Sequence, residues 1–319
     1  MTWTRAMIPV AALILVVLAI SVIFQANMKV PHEGRWGIYR LSLANEKTEL
    51  IYSTSNKITG LGLSVHGDRF TFSEQMDGGG NNYEEIVTLN VDGTGLARLT
   101  NNTYWDVYPI WSPDGTEIAF LSFRENDMDI YVMDNDGTDA RLLFDSGSHD
   151  SDINWVGDRI VFTSNSAIWI MNDNGTGQTQ VTFPPRAGEW GNSNLPFGDY
   201  DPRLSPSGTK IVFERLENDA SQHGNYNIYS VNPDGSGETR LTNTGYSQGM
   251  AWWSNSGDKL IYIVSAIDGE GKYDIYMMDS DGTNNRNITP GYFPADFLIH
   301  SAVFSPDDSE IYFVGEWWG

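Results

Sequence analysis

Short apolar runs alternate with polar turns along most of the chain, and one sequence motif recurs several times. It consists of an apolar strand, a Ser-Pro-Asp-Gly turn or a variant, and an Ile-x-Phe strand. A variable loop comes next. The segments Asp-Ile-Tyr-x-Met-Asp, Asp-Gly-Thr and Arg-Leu-Thr follow it in this order. Residues 108–143 contain the clearest copy. Alternation of apolar and polar residues with period two is typical of β-strands, so each copy predicts four short strands.

The second strand of each copy contains two large apolar residues two positions apart. The pairs are Phe70/Phe72, Ile118/Phe120, Ile160/Phe162, Ile211/Phe213, Leu260/Tyr262 and Ile311/Phe313. They recur at spacings of 42 to 51 residues. Six copies of about this length match the four-stranded blades of a β-propeller.

Turn residues lie between the third and fourth strands of five copies. The dipeptides begin at Asp92, Asp136, Asn174, Asp234 and Asp281, and each is followed by Gly. Asp-Gly and Asn-Gly accept the positive φ that two-residue hairpin turns require. We therefore expect two-residue hairpins at these five positions.

The two ends of the repeat array complement each other. Residues 300–319 supply only two strands, whereas residues 34–52 look like a third and fourth strand without the first two. One blade shared by the two ends would close the ring and leave no open sheet edge. The predicted fold is therefore all-β, a six-bladed propeller of four-stranded antiparallel blades over residues 34–319.

An uncharged apolar stretch lies between Arg5 and Lys29. A helix that crosses a bilayer needs about 20 apolar residues. Residues 1–33 are thus predicted to form one hydrophobic helix and a short linker. They would anchor the propeller in a membrane, outside the cytoplasm, in the periplasm or extracellular space. The alternative is a signal peptide cleaved near Ser21, which would release the propeller as a secreted protein.

The composition limits the partners that the chain can bind. Its net charge is −23, and a surface this acidic repels nucleic acid and attracts cations or basic protein surfaces. The chain has 0 Cys, which excludes disulfides and thiolate metal sites. We expect a protein or peptide partner with a basic segment, and no nucleic acid.

Acidic residues recur in one register before the first strands. Alignment of these strands places Asp106, Asp150 and Asp199 at equivalent positions, with Gln248 in the next copy. In a propeller the loop before the innermost strand opens beside the central channel. These side chains are therefore predicted to surround the channel mouth and to hold Ca²⁺ or a basic partner segment. The alternative is that each Asp caps its own loop.

Aromatic residues on the same loops are candidate partner contacts. They are Trp105, Trp190, Tyr200 and Tyr246. Tyr and Trp are enriched at the energetic centres of protein interfaces, although packing between blades would also use them. No catalytic residue is predicted. Residues 245–249 match the Gly-x-Ser-x-Gly nucleophile motif, but no helix follows them.

Two segments of the clearest copy resemble a known family. Ser-Pro-Asp-Gly at residues 112–115 and Asp-Ile-Tyr-Val-Met-Asp at residues 129–134 resemble the repeat of TolB-type propellers. A similar repeat occurs in the propeller domains of dipeptidyl peptidase IV-like enzymes. TolB propellers are periplasmic and bind a peptidoglycan-associated lipoprotein. The resemblance therefore implies a non-catalytic module that binds a protein or peptide at its channel face.

A second function remains open from the sequence. Some propellers are metal-dependent lyases or hydrolases that act on a glycan or a lactone in the channel. That function would require His and carboxylate ligands to converge there, and no local metal-binding spacing occurs around the His residues. No cofactor is expected apart from Ca²⁺ at Asp106, Asp150 and Asp199.

Overall fold

The computed structural model describes residues 29–76, 83–124, 126–219, 224–265 and 273–318. These ranges consist of strands and their connections, and they include no helix long and apolar enough to cross a membrane. The predicted membrane helix and the alternative cleavage site near Ser21 lie in residues 1–28, outside the described residues.

The described residues form 24 strands. In chain order they are β1 (Trp36–Ser42), β2 (Thr48–Thr54), β3 (Ile58–Leu63), β4 (Arg69–Gln75), β5 (Glu84–Asn90), β6 (Ala97–Arg98), β7 (Trp105–Trp111), β8 (Glu117–Arg124), β9 (Asp127–Asp134), β10 (Arg141–Phe144), β11 (Asp150–Val156), β12 (Arg159–Ser164), β13 (Ala167–Asn172), β14 (Thr179–Gln180), β15 (Asp199–Leu204), β16 (Ile211–Asn218), β17 (Asn225–Val231), β18 (Thr239–Arg240), β19 (Ser247–Trp253), β20 (Lys259–Ser265), β21 (Asp274–Asp279), β22 (Arg286–Asn287), β23 (Phe297–Phe304) and β24 (Glu310–Trp317).

The strands form six antiparallel four-stranded sheets, which are the predicted blades. Blades 1 to 5 each contain four consecutive strands: β3–β6, β7–β10, β11–β14, β15–β18 and β19–β22. The sixth blade has the order β2-β1-β24-β23, so strands from both ends of the chain share it as predicted. Trp36 on β1 pairs with Glu316 on β24, and Ser42 pairs with Glu310. The ring is therefore closed by backbone hydrogen bonds.

The second strand of each blade supplies the centre of the core. All twelve residues of the predicted pairs on β4, β8, β12, β16, β20 and β24 are 0% exposed. Because both faces of a blade pack against neighbouring blades, the intervening residues on these strands are also largely buried. Burial on both faces explains why these strands read as nearly continuous apolar runs.

The hairpins between third and fourth strands differ from the prediction. In the first blade the Gly93 N–H donates to the Asn90 carbonyl, and the Asn90 N–H donates to the Thr94 carbonyl. The loop thus has three residues and ends in a glycine bulge. Within each Asp-Gly or Asn-Gly pair only the Gly has positive φ, at values from 76° to 90° across the five hairpins. The Asp92 carboxylate instead accepts the Thr94 N–H over 2.9 Å, which fixes the turn.

Candidate functional site

The inner strand of each blade contains a β-bulge near its start. The pairing register shifts there in all six inner strands. In five blades a residue at the bulge has a φ between 51° and 67°: Gly60, Tyr108, Asp152, Asp201 and Met250. The sixth blade places His300 at this position. A bulge re-aims a side chain, and positive φ at a residue other than Gly stores strain of the kind found at functional sites.

The bulges surround one end of the central channel. A cavity of about 190 Å³ lies there and is lined by Gly60, Tyr108, Asp201, Met250 and His300. We call this cavity the channel mouth. Trp36 and Lys57 also line it. Because Tyr108 and Met250 are exposed, the mouth presents apolar surface to solvent.

A second cavity, of about 390 Å³, is lined by the far ends of all six inner strands. Arg203, Trp252 and Val303 line both cavities. The Arg203 guanidinium carbon lies 4.8 Å from the centroid of the Trp252 ring, within the range of a cation–π interaction. This stacked pair therefore lies between the two cavities and forms the floor of the channel mouth.

Carboxyl groups gather around this floor. Arg203 Nη2 lies 2.6 Å from Asp201 Oδ1 and forms a buried ion pair with it. The Asp201 N–H donates to Asp152 Oδ2 over 3.3 Å. The Met250 N–H donates to Glu214 Oε2 over 3.1 Å. Three carboxyl groups from two neighbouring blades thus lie near the single guanidinium of Arg203, which makes this region acidic.

The burial of these carboxyl groups changes their protonation. Burial raises the pKa of Asp201 to about 6, although the Arg203 charge opposes the rise and the Asp152 charge adds to it. Burial, followed by the charges of Asp201 and Asp152, raises the pKa of Glu214 well above its usual range. Glu214 therefore keeps its proton to a higher pH than an ordinary glutamic acid does, whereas Asp201 is largely ionised at neutral pH.

Two polar atoms at the floor are left without a hydrogen bond. Asp201 Oδ2 and Arg203 Nε are buried and have no partner among the described residues. A buried polar atom without a partner costs free energy that a bound polar group can recover. The floor is therefore suited to receive a polar or cationic group that enters through the mouth.

The sequence-predicted carboxylates share a register but do not form the expected open ring. Asp106, Asp150, Asp199 and Gln248 each lie two residues before a bulge residue, and all four are buried. Their side chains bind within their own blades and loops. Asp106 accepts from Asn102, Asp150 from Ser146 and Asp199 from Arg215, while Gln248 donates to Thr244.

This arrangement differs from the open ring of carboxylates that the sequence predicts at the channel mouth. Three of the four residues bind a side chain four positions earlier, which is the loop-capping alternative. The carboxylates near the channel are instead Asp152 and Asp201, two residues further on. The sequence contains acidic residues at both positions, but only the bulge determines that Asp201 lines the channel mouth while Asp152 accepts the Asp201 N–H.

The predicted aromatic contacts divide into two groups. Trp105, Trp190 and Tyr246 are exposed, as a contact surface requires. Tyr200 is buried, and its hydroxyl donates to the Pro196 carbonyl over 2.6 Å. Tyr200 therefore holds the long loop before β15 in place and is not available to a partner.

Metal-ligand geometry lies elsewhere. Within the described ranges, three carboxylates with ligand atoms close enough for one ion occur at Asp127, Asp129 and Asp145, and none of these residues is on an inner strand. Asp106, Asp150 and Asp199 do not form such a group there. Ser247 of the Gly-x-Ser-x-Gly motif begins β19, and its Oγ accepts the Tyr226 N–H over 3.4 Å.

Similarity to known proteins agrees with this fold. No established protein-family profile matches the chain. An uncharacterized protein of Agrobacterium fabrum is 26% identical over 242 residues, which cover 71% of this chain and 77% of that protein. The Tol-Pal system protein TolB of Francisella tularensis subsp. mediasiatica is 26% identical over 286 residues, covering 86% of this chain and 61% of that protein. The chain therefore spans less than two thirds of that TolB.

Solved structures of similar proteins have the same fold. A candidate TolB from Agrobacterium tumefaciens superposes with a TM-score of 0.67 at 19% identity, covering 89% of this chain and 99% of that chain. TolB from Acinetobacter baumannii superposes with a TM-score of 0.61 at 17% identity, covering 85% of this chain and 67% of that chain. At such identities the agreement concerns the fold. The chain is a TolB-like six-bladed β-propeller, which confirms the resemblance seen at residues 112–115 and 129–134.

Proposed function

We propose that this propeller is a non-catalytic module that binds a segment of a partner protein at its channel mouth. Asp201 and Arg203 line this solvent-open cavity, and each has one buried polar atom without a hydrogen-bond partner among the described residues. Exposed Tyr108 and Met250 at the rim supply apolar contact area. A cavity that combines apolar walls with a few convergent polar groups is typical of binding sites.

The proposed partner segment is basic. Asp152 and Asp201 lie together at the floor with one guanidinium, that of Arg203, which pairs with Asp201, and the whole chain has a net charge of −23. Such a field attracts a cationic segment and speeds its association. A Lys or Arg side chain that enters the mouth would lie near Asp201, whose Oδ2 accepts no hydrogen bond from any residue that the structure describes.

The proposed location is outside the cytoplasm, where residues 1–33 hold the propeller at a membrane. The sequence of these residues and the Tol-Pal name of the Francisella relative support it. Amino-terminal sequencing of the protein purified from cell membranes tests the anchor. A sequence that begins at residue 1 or 2 is expected. One that begins near residue 22, in protein recovered without detergent, would favour the secreted form.

Site-specific crosslinking tests the binding site. A benzophenone amino acid at position 250 is expected to form one defined protein adduct in membranes of the source organism. The same group at position 65 is the matched control, since Met250 is 44% exposed and Val65 is 50% exposed but lines the opposite cavity. Adducts of equal yield at both positions would contradict the proposed face.

The charges at the floor are tested in the same assay. Asp152→Asn together with Asp201→Asn is expected to reduce the adduct at position 250 about tenfold, since one favourable charged contact contributes roughly 1.4 kcal/mol. The control is Asp92→Asn together with Asp136→Asn, which removes two exposed turn carboxylates and leaves the net charge equal. An equal decrease in both proteins would mean that net charge alone attracts the partner.

A further inference from the structure

Three carboxylates converge at the edge of the second blade, away from the channel. Asp127 and Asp129 lie at the start of β9, two positions apart, and Asp145 follows β10 directly. Since β9 and β10 are hydrogen-bonded neighbours, the three side chains meet where β9 begins and β10 ends. One oxygen from each residue lies within 4.8 Å of the other two.

Asp129 is the buried member of this group. Its side chain is only 5% exposed, and its buried Oδ1 has no hydrogen-bond partner among the described residues. An ionised carboxylate in such a place normally has a donor or a cation, because burial without one is costly. Asp127 and Asp145 are more exposed, so solvent reaches the cluster from one side.

The group consists of carboxylates alone. The nearby His149 does not complete the group as a nitrogen ligand through Nδ1, because that atom accepts the Met128 N–H over 3.0 Å.

We propose that Asp127, Asp129 and Asp145 bind one calcium ion. The three ligands are carboxylates, and hard divalent cations prefer oxygen. Two oxygens that are each about 2.4 Å from one Ca²⁺ can lie up to about 4.8 Å apart, which the observed spacing satisfies. Water molecules complete the coordination on the exposed side. The site is separate from the channel mouth and from the proposed partner site.

The ion would connect two parts of the ring. Asp127 and Asp129 belong to the β8–β9 hairpin, and Asp145 belongs to the connection between the second and third blades. Calcium binding therefore stabilises the junction between these blades. Because only three protein carboxylates contribute, we expect a dissociation constant of roughly 0.1 to 1 mM, as in extracellular calcium modules.

Calorimetric titration of the full-length protein with CaCl₂ tests the proposal, with MgCl₂ as a parallel titration. A saturable signal of about one Ca²⁺ per chain is expected, together with a rise in Tm of about 2 °C or more at 10 mM CaCl₂. Asp129→Asn is expected to weaken binding at least tenfold. Asp136→Asn, an exposed turn position of the same blade, is expected to leave binding unchanged.

Several outcomes would overturn the proposal. They are the absence of a saturable signal, equal calcium binding by the wild type and Asp129→Asn, or tighter binding of Mg²⁺ than of Ca²⁺. Asp127→Asn and Asp145→Asn serve as second variants, because both positions are more exposed than Asp129 and tolerate the change more readily. Each must weaken calcium binding in a protein with an unchanged circular dichroism spectrum.

Discussion

Replacement of Arg203 by Met is expected to lower the free energy of unfolding by about 3 kcal/mol at pH 7.5. Arg203 is the cation paired with buried Asp201, and its removal leaves that carboxylate beside Asp152 without compensation. A Met side chain has a similar length and retains much of the contact with Trp252. Urea unfolding followed by Trp fluorescence measures the loss.

The loss is expected to be smaller at pH 5. Without Arg203 the pKa of Asp201 in the folded protein rises further above about 6, while the unfolded value stays near 4. Between these values the folded protein binds more protons than the unfolded chain, so stability falls as pH rises. Each further unit by which the folded pKa of Asp201 rises lowers the free energy of unfolding by about 1.4 kcal/mol at pH values above the folded pKa. It has no effect at pH values below the unfolded pKa.

Two variants separate charge from packing at this position. Arg203→Lys keeps the charge and is expected to lose less stability than Arg203→Met. Combining Arg203→Met with Asp201→Asn removes both charges and is expected to recover much of the loss. If Arg203→Met loses the same free energy at pH 5 and pH 7.5, its contribution comes from stacking on Trp252, and the electrostatic explanation fails.

Gly315→Ala is expected to lower the free energy of unfolding by about 2 to 3 kcal/mol. Gly315 on β24 pairs with Gly37 on β1 at the closure of the ring. A Cβ at position 315 would lie 2.3 Å from Phe297 Cζ and 2.9 Å from Tyr39 Cε2. Both rings are buried and in contact with each other, so neither can move freely. The midpoint of urea unfolding measures the effect.

The matched control is Gly245→Ala. No atom lies within 4 Å of a Cβ at position 245, and its φ is not positive. This variant is expected to change stability by less than about 0.5 kcal/mol. Equal destabilisation of the two variants would show that the loss of Gly itself matters, and not the contact with Phe297 and Tyr39.

The sequence predicts the fold because the information is local and repeated. The pairs Phe70/Phe72 and Ile311/Phe313 show the same register at opposite ends of the chain, and both are buried on second strands. The unmatched strands of residues 34–52 and 300–319 also predict the shared sixth blade. The hairpin prediction fails in detail, since Asp-Gly occurs in both two-residue and three-residue loops.

The candidate site is harder to predict because a β-bulge breaks the alternation on which the prediction depends. Two-residue periodicity alone assigns Asp150 and Asp152 to the same face of a regular strand. The bulge at Asp152 breaks this relation, so Asp150 turns into its own loop while Asp152 approaches the floor of the channel. Nothing in the local sequence marks Arg203 as the ion-pair partner.

The carboxylates of the proposed calcium site show a related difficulty. Asp127 and Asp145 are separated by a complete hairpin, and only the pairing of β9 with β10 brings them together. The sequence shows many Asp residues in turns, where local hydrogen bonds explain them. Long-range convergence of this kind depends on strand register, which composition does not reveal.

The closure of the ring has a consequence for the order of events during synthesis. Arg35 and Glu316 are 281 positions apart, yet they form an ion pair beside the pairing of β1 with β24. The β1–β2 hairpin therefore leaves the ribosome with the outer edge of β1 unpaired. Its partner strand β24 is made only after almost the whole chain has been synthesised. Contacts of such sequence separation form late and slowly, and an open strand edge invites pairing between molecules. We therefore expect the unpaired β1–β2 hairpin to be the part of the nascent chain that most needs a folding chaperone.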